Sequence, residues 1–200
     1  MHERVLIIGA GIGGLCSALA LAPTGRDIVM LERDPPPPGK DPDLAFTDWN
    51  RRGVGHLRHS HAFLARLRSI IRKEHPDLLA ELKEAGCREL GFDGMLTDVH
   101  KARYVPAPAD KDFVVLTSRR TTLELVIRRY VERFPNVRIV SETFVRKLLI
   151  QPDPQGLRVA GVSVADAAGG RDIIGDLVID AGGRASTGAE QLREGDAITG

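Results

Sequence analysis

The sequence predicts an α/β protein: a doubly wound, Rossmann-like domain that also carries an antiparallel β-meander. Three observations support this prediction. An apolar strand, a glycine-rich turn and a helix open the chain. Three apolar runs between residues 144 and 175 alternate with turn clusters, as in a meander. A short apolar run from Leu177 to Ile179 then ends in an acid and a glycine pair, which is typical of a buried strand that closes at a ligand site.

The opening segment VLIIGAGIGGL, residues 5–15, indicates a phosphate-binding βαβ unit. Its apolar start is rich in β-branched residues, as in a buried parallel strand, and residues 15–21 continue as a helix. Gly9 suits the tight turn, Gly11 lets backbone approach a pyrophosphate, and Gly14 permits close helix–strand packing. The free amides at the start of the helix are then expected to bind the phosphates.

A turn at Gly25 leads into a second apolar run, Asp27 to Leu31, and a single acid, Glu32, follows that run. This is the position at which an adenosine ribose presents its hydroxyls in such units. Because the carboxylate repels a 2′-phosphate, the sequence favours FAD or NAD over NADP. A glycine-rich turn without a ligand is the alternative, and the full strand–turn–helix–strand context with its acid argues against it.

Size and composition indicate one globular domain, or one domain and part of another: 200 residues, 42% hydrophobic and 28% charged. A net charge of +1 gives no electrostatic argument for nucleic acid or membrane partners. No segment is predicted to span a bilayer, and Glu3 and Arg4 precede the apolar start where a signal peptide would carry a basic run. Cys16 and Cys87 form no disulfide framework, so a cytoplasmic compartment is expected.

The middle of the chain is predicted to be an insertion with packing helices. Residues 35–58 are proline-rich and polar, which favours an extended loop without regular helix. A helical insertion is expected at about 61–86. Residues 123–134 show the clearest helical spacing, and Thr121 with Glu124 predicts a capping box at the start of that helix. A strand at 137–140 precedes the meander.

The closing segment DLVIDAGGRAS, residues 176–186, completes a resemblance to a known family. The chain resembles the N-terminal part of the FAD-dependent monooxygenase and oxidoreductase superfamily with the aromatic-hydroxylase fold. It is more similar to the branch with geranylgeranyl reductases and flavin halogenases, in which this strand ends Asp-Ala-Thr-Gly-Arg; Gly182 stands here in place of the threonine. The resemblance implies that residues 9–14 bind the FAD pyrophosphate and that Glu32, with Arg33 beside it, binds the adenosine ribose.

Two further arginines enter through the resemblance. Arg120 falls on the family's arginine at the start of a helix, where a guanidinium pairs with phosphate or with the ribityl side of the flavin. The adjacent Arg119 does not match that position. A solvent-exposed surface arginine is the alternative for this position. Arg58 lies in a segment, residues 53–64, that resembles a loop passing near the flavin; Gly55 and His56 depart from the proline and glutamine of that pattern.

Other site chemistries are less favoured by the sequence. His56, His59 and His61 suggest a metal site, but no cysteine or carboxylate lies close in sequence to complete one. No Gly-x-Ser-x-Gly elbow indicates a hydrolase. Trp49 is the only tryptophan, so the paired-tryptophan motif of flavin halogenases is missing.

The predicted cofactor-binding residues comprise the glycine turn, the ribose acid with its neighbour, the two family arginines and the closing turn: Gly9, Gly11, Gly13, Gly14, Glu32, Arg33, Arg58, Arg120, Asp180 and Gly183. No metal ligand is predicted and no catalytic acid or base is assigned. The predicted domain covers residues 1–186, with a meander at about 144–175 and a tail of uncertain structure at 187–200.

The family's proteins are longer than this chain, so the domain is predicted to be truncated. Gly195-Asp196 has the letters of the family's later ribityl-binding motif, but the polar residues before it predict no strand, so we interpret it as a coincidence or the scar of a deletion. A sheet without its last strand exposes an edge that a partner chain would cover.

The resemblance implies a FAD-binding oxidoreductase: a monooxygenase or reductase acting on a small organic substrate, with NAD(P)H as external reductant. Two alternatives stay open. One is an NAD-dependent dehydrogenase, and the other is a non-catalytic nucleotide-binding remnant or partner subunit.

Overall fold

A computed structural model describes the backbone of residues 3–154 and 156–199. The chain divides into two compact units. The first unit comprises Met1–Pro37, Asn50–Gly53 and Arg128–Gly200, and the second comprises Pro38–Trp49 and Val54–Ile127.

Strands and helices alternate through the described residues, with these bounds: β1 Arg4–Ile8, α1 Ile12–Leu21, β2 Asp27–Leu31, α2 Pro42–Asp48, β3 Ser60–Phe63, α3 Ala65–Glu74, α4 Pro76–Glu84, β4 Arg88–Leu90, α5 Asp98–Lys101, β5 Val115–Arg119, α6 Arg120–Val131, β6 Val137–Val140, β7 Phe144–Asp153, β8 Gly156–Asp166, β9 Gly169–Ile174, β10 Leu177–Asp180 and α7 Gly188–Thr199. Short 3-10 turns lie between several of them.

A parallel sheet forms the centre of the first unit, with its strands in the order β10-β1-β2-β6. Leu6 and Ile7 in the central strand β1 are fully buried. Leu6 belongs to a core cluster that also holds Val162 and Val164 of β8, so the meander covers one face of the sheet. Ile7 faces α1, because a Cβ added to Gly14 in that helix would lie 3.3 Å from Ile7 Cγ2. Both faces of β1 are therefore covered, which explains its continuous apolar sequence.

The meander β7-β8-β9 is antiparallel and follows the three predicted apolar runs. Together with the parallel sheet it confirms the predicted α/β fold class. The tail at 187–200, for which the sequence predicts no definite structure, contains helix α7. A Cβ on Gly195 would lie 3.2 Å from Ile150 of β7, so this helix packs on the meander. Gly195 is thus helical and not part of a strand-end motif, and the side chain of Asp196 lies outside the described residues.

The second unit contains a three-stranded antiparallel sheet in the order β3-β5-β4, which the sequence analysis did not predict. A helix was expected to begin at His61, but His61 lies in β3 and pairs with Ser118 of β5. The helix α3 begins only at Ala65, and α4 follows it with Leu78 and Leu82 fully buried. The helical spacing was correct for α3 and α4, and long-range strand pairing overrode it at residues 60–63.

The proline-rich segment 35–58 was predicted to hold no regular helix, and this prediction was wrong. Helix α2 begins after Asp41, whose side chain accepts a hydrogen bond from the amide of Asp43 at 2.8 Å, with Pro42 at the first helical position. Proline is well tolerated there because its missing donor would be unpaired in any case. Ala45 and Trp49 then pack against Leu125, which supplies the apolar contact that stabilises a short helix.

The predicted capping box of the later helix was also wrong. Helix α6 begins at Arg120, directly after β5, so Thr121 lies inside the helix. The Thr121 hydroxyl is buried and makes no hydrogen bond to the described part of the chain. Glu124 instead forms an ion pair with Arg120 at 3.3 Å.

Candidate dinucleotide site

The predicted glycine turn, ribose acid and closing turn lie at one edge of the parallel sheet. Ile8 at the end of β1 is in register with Leu31 of β2 on one side and Asp180 of β10 on the other. Gly9, Glu32 and the turn after Asp180 therefore follow three neighbouring strands at their carboxyl ends. In doubly wound sheets, ligands bind at this edge, where the chain passes from one side of the first strand to the other.

Gly9 and Gly14 are required by the fold itself. Gly9 has φ +92°, a conformation that side chains rarely adopt, and its amide donates to Leu31 O at 2.8 Å. A Cβ at Gly9 would lie 2.7 Å from Ala181 O, and one at Gly14 would lie 2.0 Å from Gly9 O. The turn, helix α1 and the end of β10 thus approach each other more closely than any side chain permits.

Gly11 and Gly13 are not required for packing. A Cβ added at either position would meet no protein atom within 4 Å. Gly11 is the N-cap residue of the ten-residue helix α1, and no side chain caps the helix there. No side chain caps the amides at this end of the helix, which is also the positive end of the helix dipole, and such a helix start is suited to binding a phosphate. These residues fit the pyrophosphate of a dinucleotide.

Glu32 is directed toward the glycine turn and is 3% exposed. Its Oε2 accepts hydrogen bonds from the Ala10 amide at 2.8 Å and from Arg51 Nη2 at 2.6 Å. Its Oε1 accepts one from the Asp34 amide at 3.0 Å. An ionised carboxylate has about four acceptor positions, so roughly one remains for a ligand hydroxyl.

Arg51 is a buried residue of the site that the sequence analysis missed. Besides Glu32, its guanidinium reaches Asp34 Oδ2 at 3.4 Å and Ala10 O at 3.4 Å. Burial lowers the pKa of Arg51, while the charges of Glu32 and Asp34 raise it and the like charge of Arg128 lowers it. No local motif marks Arg51, because Asp34, Glu32 and Ala10 lie 17 or more positions away from it in sequence.

Arg33 lies beside this cluster but is more exposed. Its side chain is 39% exposed, and its Nε lies 4.0 Å from Asp34 Oδ1. The guanidinium packs over Gly53, since a Cβ at that glycine would come within 2.3 Å of Arg33 Nη2. Arg33 is thus adjacent to the predicted ribose acid, as the resemblance implied, without bonding to it in the described contacts.

The closing turn is held by Asp180. Its Oδ1 accepts the Gly182 amide at 2.9 Å, and its Oδ2 accepts the Ser186 hydroxyl. Gly183 follows with φ +72° and open space where a Cβ would lie. Both oxygens of Asp180 therefore stabilise the turn.

Two predicted residues belong to the second unit. Arg58 donates from Nε to Phe46 O at 2.9 Å and from Nη2 to Thr47 O at 2.6 Å, so it caps the last turn of α2. Arg120 begins α6, where Nη1 lies 2.9 Å from Nε2 of His56. The structure thus gives Arg58 a capping contact, and it gives Arg120 a hydrogen bond to His56 and an ion pair with Glu124, all within their own unit.

The histidine segment shows no metal geometry. The rings of His56 and His61 stack at 5.4 Å. Burial and the positive charge of Arg120 lower the pKa of His61. Among the described residues, no group of three or more His, Cys, Asp and Glu side chains is placed to hold a metal ion.

A parallel βαβ unit with an open glycine turn, an uncapped helix start and an adjacent acid defines a dinucleotide-binding protein. The chain belongs to the FAD binding domain family, whose profile matches residues 4–197. The sequence resemblance to FAD-dependent oxidoreductases is thereby confirmed at the level of the family.

One curated relative is Protein Rv3254 of Mycobacterium tuberculosis (strain ATCC 25618 / H37Rv). It is 31% identical, and the alignment covers 91% of this chain but 38% of the relative. The chain therefore spans well under half of that protein.

Several solved structures share the fold. PqsL of Pseudomonas aeruginosa has a TM-score of 0.66 at 21% identity, covering 97% of this chain and 46% of its own. The p-nitrophenol 4-monooxygenase PnpA of Pseudomonas putida DLL-E4 scores 0.61 at 19% identity, covering 93% and 42%. The flavin-dependent monooxygenase PieE, solved with FAD and substrate, scores 0.65 at 17% identity, covering 96% and 32%. This chain spans less than half the length of each of these three proteins.

Within the described part of the chain, no helix combines the length and the apolar character needed to cross a membrane.

Proposed function

We propose that this chain is the dinucleotide-binding part of a FAD-dependent oxidoreductase. One observation carries the proposal: an open glycine turn and a buried acid meet at the carboxyl ends of adjacent parallel strands. Gly11 and Gly13 leave space beside the start of α1, and Glu32 is fixed within hydrogen-bond distance of the turn itself. Family membership favours FAD as the dinucleotide.

The residues of this chain supply binding and orientation. The amides at the start of α1 hold the pyrophosphate, and Glu32 accepts a hydrogen bond from the adenosine ribose. Asp180 fixes the turn that borders Gly9. Arg33 adds a positive charge beside the acids that follow β2. Bound FAD supplies the redox chemistry, and the protein restricts where that chemistry occurs.

Further parts of the proposal concern the whole protein. The substrate is a small organic molecule, and the reaction is a hydroxylation or a reduction in which NAD(P)H acts as external reductant. The resemblance motivates this part of the proposal, and the monooxygenases PnpA and PieE among the solved structures support its oxidoreductase class. Arg58 and Arg120 are proposed to approach the flavin side, as in the family pattern, when the whole protein binds FAD.

The test is to identify the nucleotide that the chain carries. The purified chain is denatured, and the released ligand is separated by chromatography and identified by its absorbance spectrum. The chain is then refolded without ligand and titrated separately with FAD, NAD and NADP. Binding of each nucleotide is measured by calorimetry, and binding of FAD also by flavin fluorescence. We expect FAD to be released or to bind most tightly, with NADP weakest because of Glu32.

The alternatives give different results. Preferential binding of NAD would refute the FAD assignment in favour of a dehydrogenase. A chain that binds none of the three, although its circular dichroism shows a folded α/β protein, would indicate a non-catalytic remnant or partner subunit.

A further inference from the structure

Three segments of the first unit meet at one buried guanidinium. Arg51 contacts the glycine turn at Ala10 O and the two acids after β2, Glu32 and Asp34. The side chains of all three charged residues are 5% exposed or less. The segment that carries Arg51 is held in turn, because the Gly53 amide donates to Asp34 Oδ2 at 3.3 Å.

The charges around this cluster are nearly balanced. Glu32 and Asp34 are acidic, and Arg51 is the cation in contact with both. Arg33 lies at the outer edge, 4.0 Å from Asp34. Arg128 adds a positive charge near Arg51, but its own hydrogen bonds go to Glu132 and Ser141. Removing Arg51 would therefore take away the cation that contacts Glu32 and leave Asp34 with the more distant and more exposed Arg33.

Stability alone does not explain this arrangement. A buried ion pair contributes little net stability, because desolvation of both charges offsets their attraction. Its specific effect is geometric: Arg51 Nη2 and the Ala10 amide bind the same oxygen of Glu32, so they fix that carboxylate relative to the turn. A dinucleotide that spans the turn and the acid would need this distance to be fixed.

We infer that Arg51 is a positioning residue for dinucleotide binding: it keeps the Glu32 carboxylate aligned with the glycine turn, and it acts through Glu32. This inference rests on the proposed function, because Glu32 matters in this way only if a dinucleotide binds. It assigns to Arg51 an indirect role, which distinguishes it from an arginine that contacts the phosphates.

A double-mutant cycle tests the inference, with FAD as the probe and the dissociation constant as the readout. The variants are Arg51→Met, Glu32→Gln and the double variant, with Arg51→Lys as the conservative change. Arg52→Met is the matched control, since Arg52 is the exposed neighbour.

We expect Arg51→Met to bind FAD about tenfold more weakly and Arg52→Met to bind normally. The double variant should bind like Glu32→Gln to within about twofold, because without the carboxylate Arg51 has nothing to position. Arg51→Lys should recover part of the loss, since it retains the charge.

The conservative variant separates positioning from a general structural defect. Arg51→Lys returns a cation beside Glu32 but not the planar guanidinium that meets Glu32 and Asp34 together, so its FAD affinity should lie between those of Arg51→Met and the unsubstituted chain.

Several results would overturn the inference. Unchanged FAD affinity in Arg51→Met would do so, as would a further tenfold loss in the double variant, which would indicate direct contact with the ligand. If Arg51→Met does not fold, the comparison of Glu32→Gln with the double variant decides alone. The double variant lacks the Glu32 carboxylate, so it buries one unpaired charge fewer than Arg51→Met does. Failure of the unsubstituted chain to bind FAD would instead refute the proposed function, and the inference with it.

Discussion

Replacing Gly14 by alanine should separate helix α1 from strand β1. The new Cβ would lie 2.0 Å from Gly9 O, whereas ordinary contacts begin near 3.4 Å, so the helix must move by about 1.4 Å. The obstructing atom is a main-chain oxygen of a residue held at φ +92°, which cannot rotate away as a side chain would. Overpacking of this kind costs about 3 kcal/mol. The higher helix propensity of alanine returns about 1 kcal/mol, so we expect a net destabilisation of about 2 kcal/mol.

Gly13→Ala is the control for this prediction, because it makes the same substitution one residue earlier in the same helix. Its Cβ would meet no atom within 4 Å, so only the propensity gain of up to about 1 kcal/mol remains. The two variants should therefore differ by about 3 kcal/mol. Urea unfolding followed by far-ultraviolet circular dichroism measures the difference, provided that the slopes agree. Equal stability of the two variants would refute the close approach of α1 to Gly9.

Three more predictions concern the site and the second unit. Gly11→Val should abolish FAD binding through a clash with the pyrophosphate, yet change the free energy of unfolding by about 1 kcal/mol or less, because Gly11 faces open space; FAD titration and urea unfolding measure the two effects. Glu32→Ala should weaken FAD binding by about 1–3 kcal/mol, measured by calorimetry, because the ribose loses a charged acceptor. The hydrogen bond to Asp110 raises the pKa of Tyr104 to about 12. Asp110→Asn removes the charge that favours the protonated phenol, so ultraviolet titration should show this tyrosine ionising at lower pH, nearer to about 10.

Each of these predictions has a contradicting result. FAD binding by Gly11→Val would show that the pyrophosphate does not bind at the glycine turn. Undiminished FAD affinity in Glu32→Ala would show that the ribose does not bind to this acid. An unchanged phenolic titration in Asp110→Asn would exclude the Tyr104–Asp110 hydrogen bond.

The site was predictable where its contacts are local. The glycine turn, helix α1 and Glu32 lie within one βαβ unit, and backbone sterics impose the pattern of glycines directly. The motif distinguishes Gly9 and Gly14, which the turn and the helix–strand packing require, from Gly11. The structure agrees for packing, since a Cβ would clash at Gly9 and Gly14 and meets no atom within 4 Å at Gly11.

The parts that sequence reasoning missed depend on distant contacts. The sheet of the second unit pairs Phe63 with Leu116, and neither short run shows a pattern that excludes a helix. Helix α2 did carry a local signal, Asp41 before Pro42, which the high proline content of the segment obscured. Its stability also depends on the distant Leu125.

Arg51 shows why a dinucleotide motif alone does not define its site. The motif fixes the backbone that receives a phosphate, but the acid that receives the ribose is a buried charge, and a buried charge requires a partner. That partner comes from residues 50–53, a short piece of chain that returns to the first unit between two segments of the second. The charge of Glu32 is therefore paired with Arg51 only after the chain has left the first unit and returned to it at residues 50–53. A minimal βαβ fragment ending at Glu32 should consequently bind FAD poorly even if its glycine turn forms.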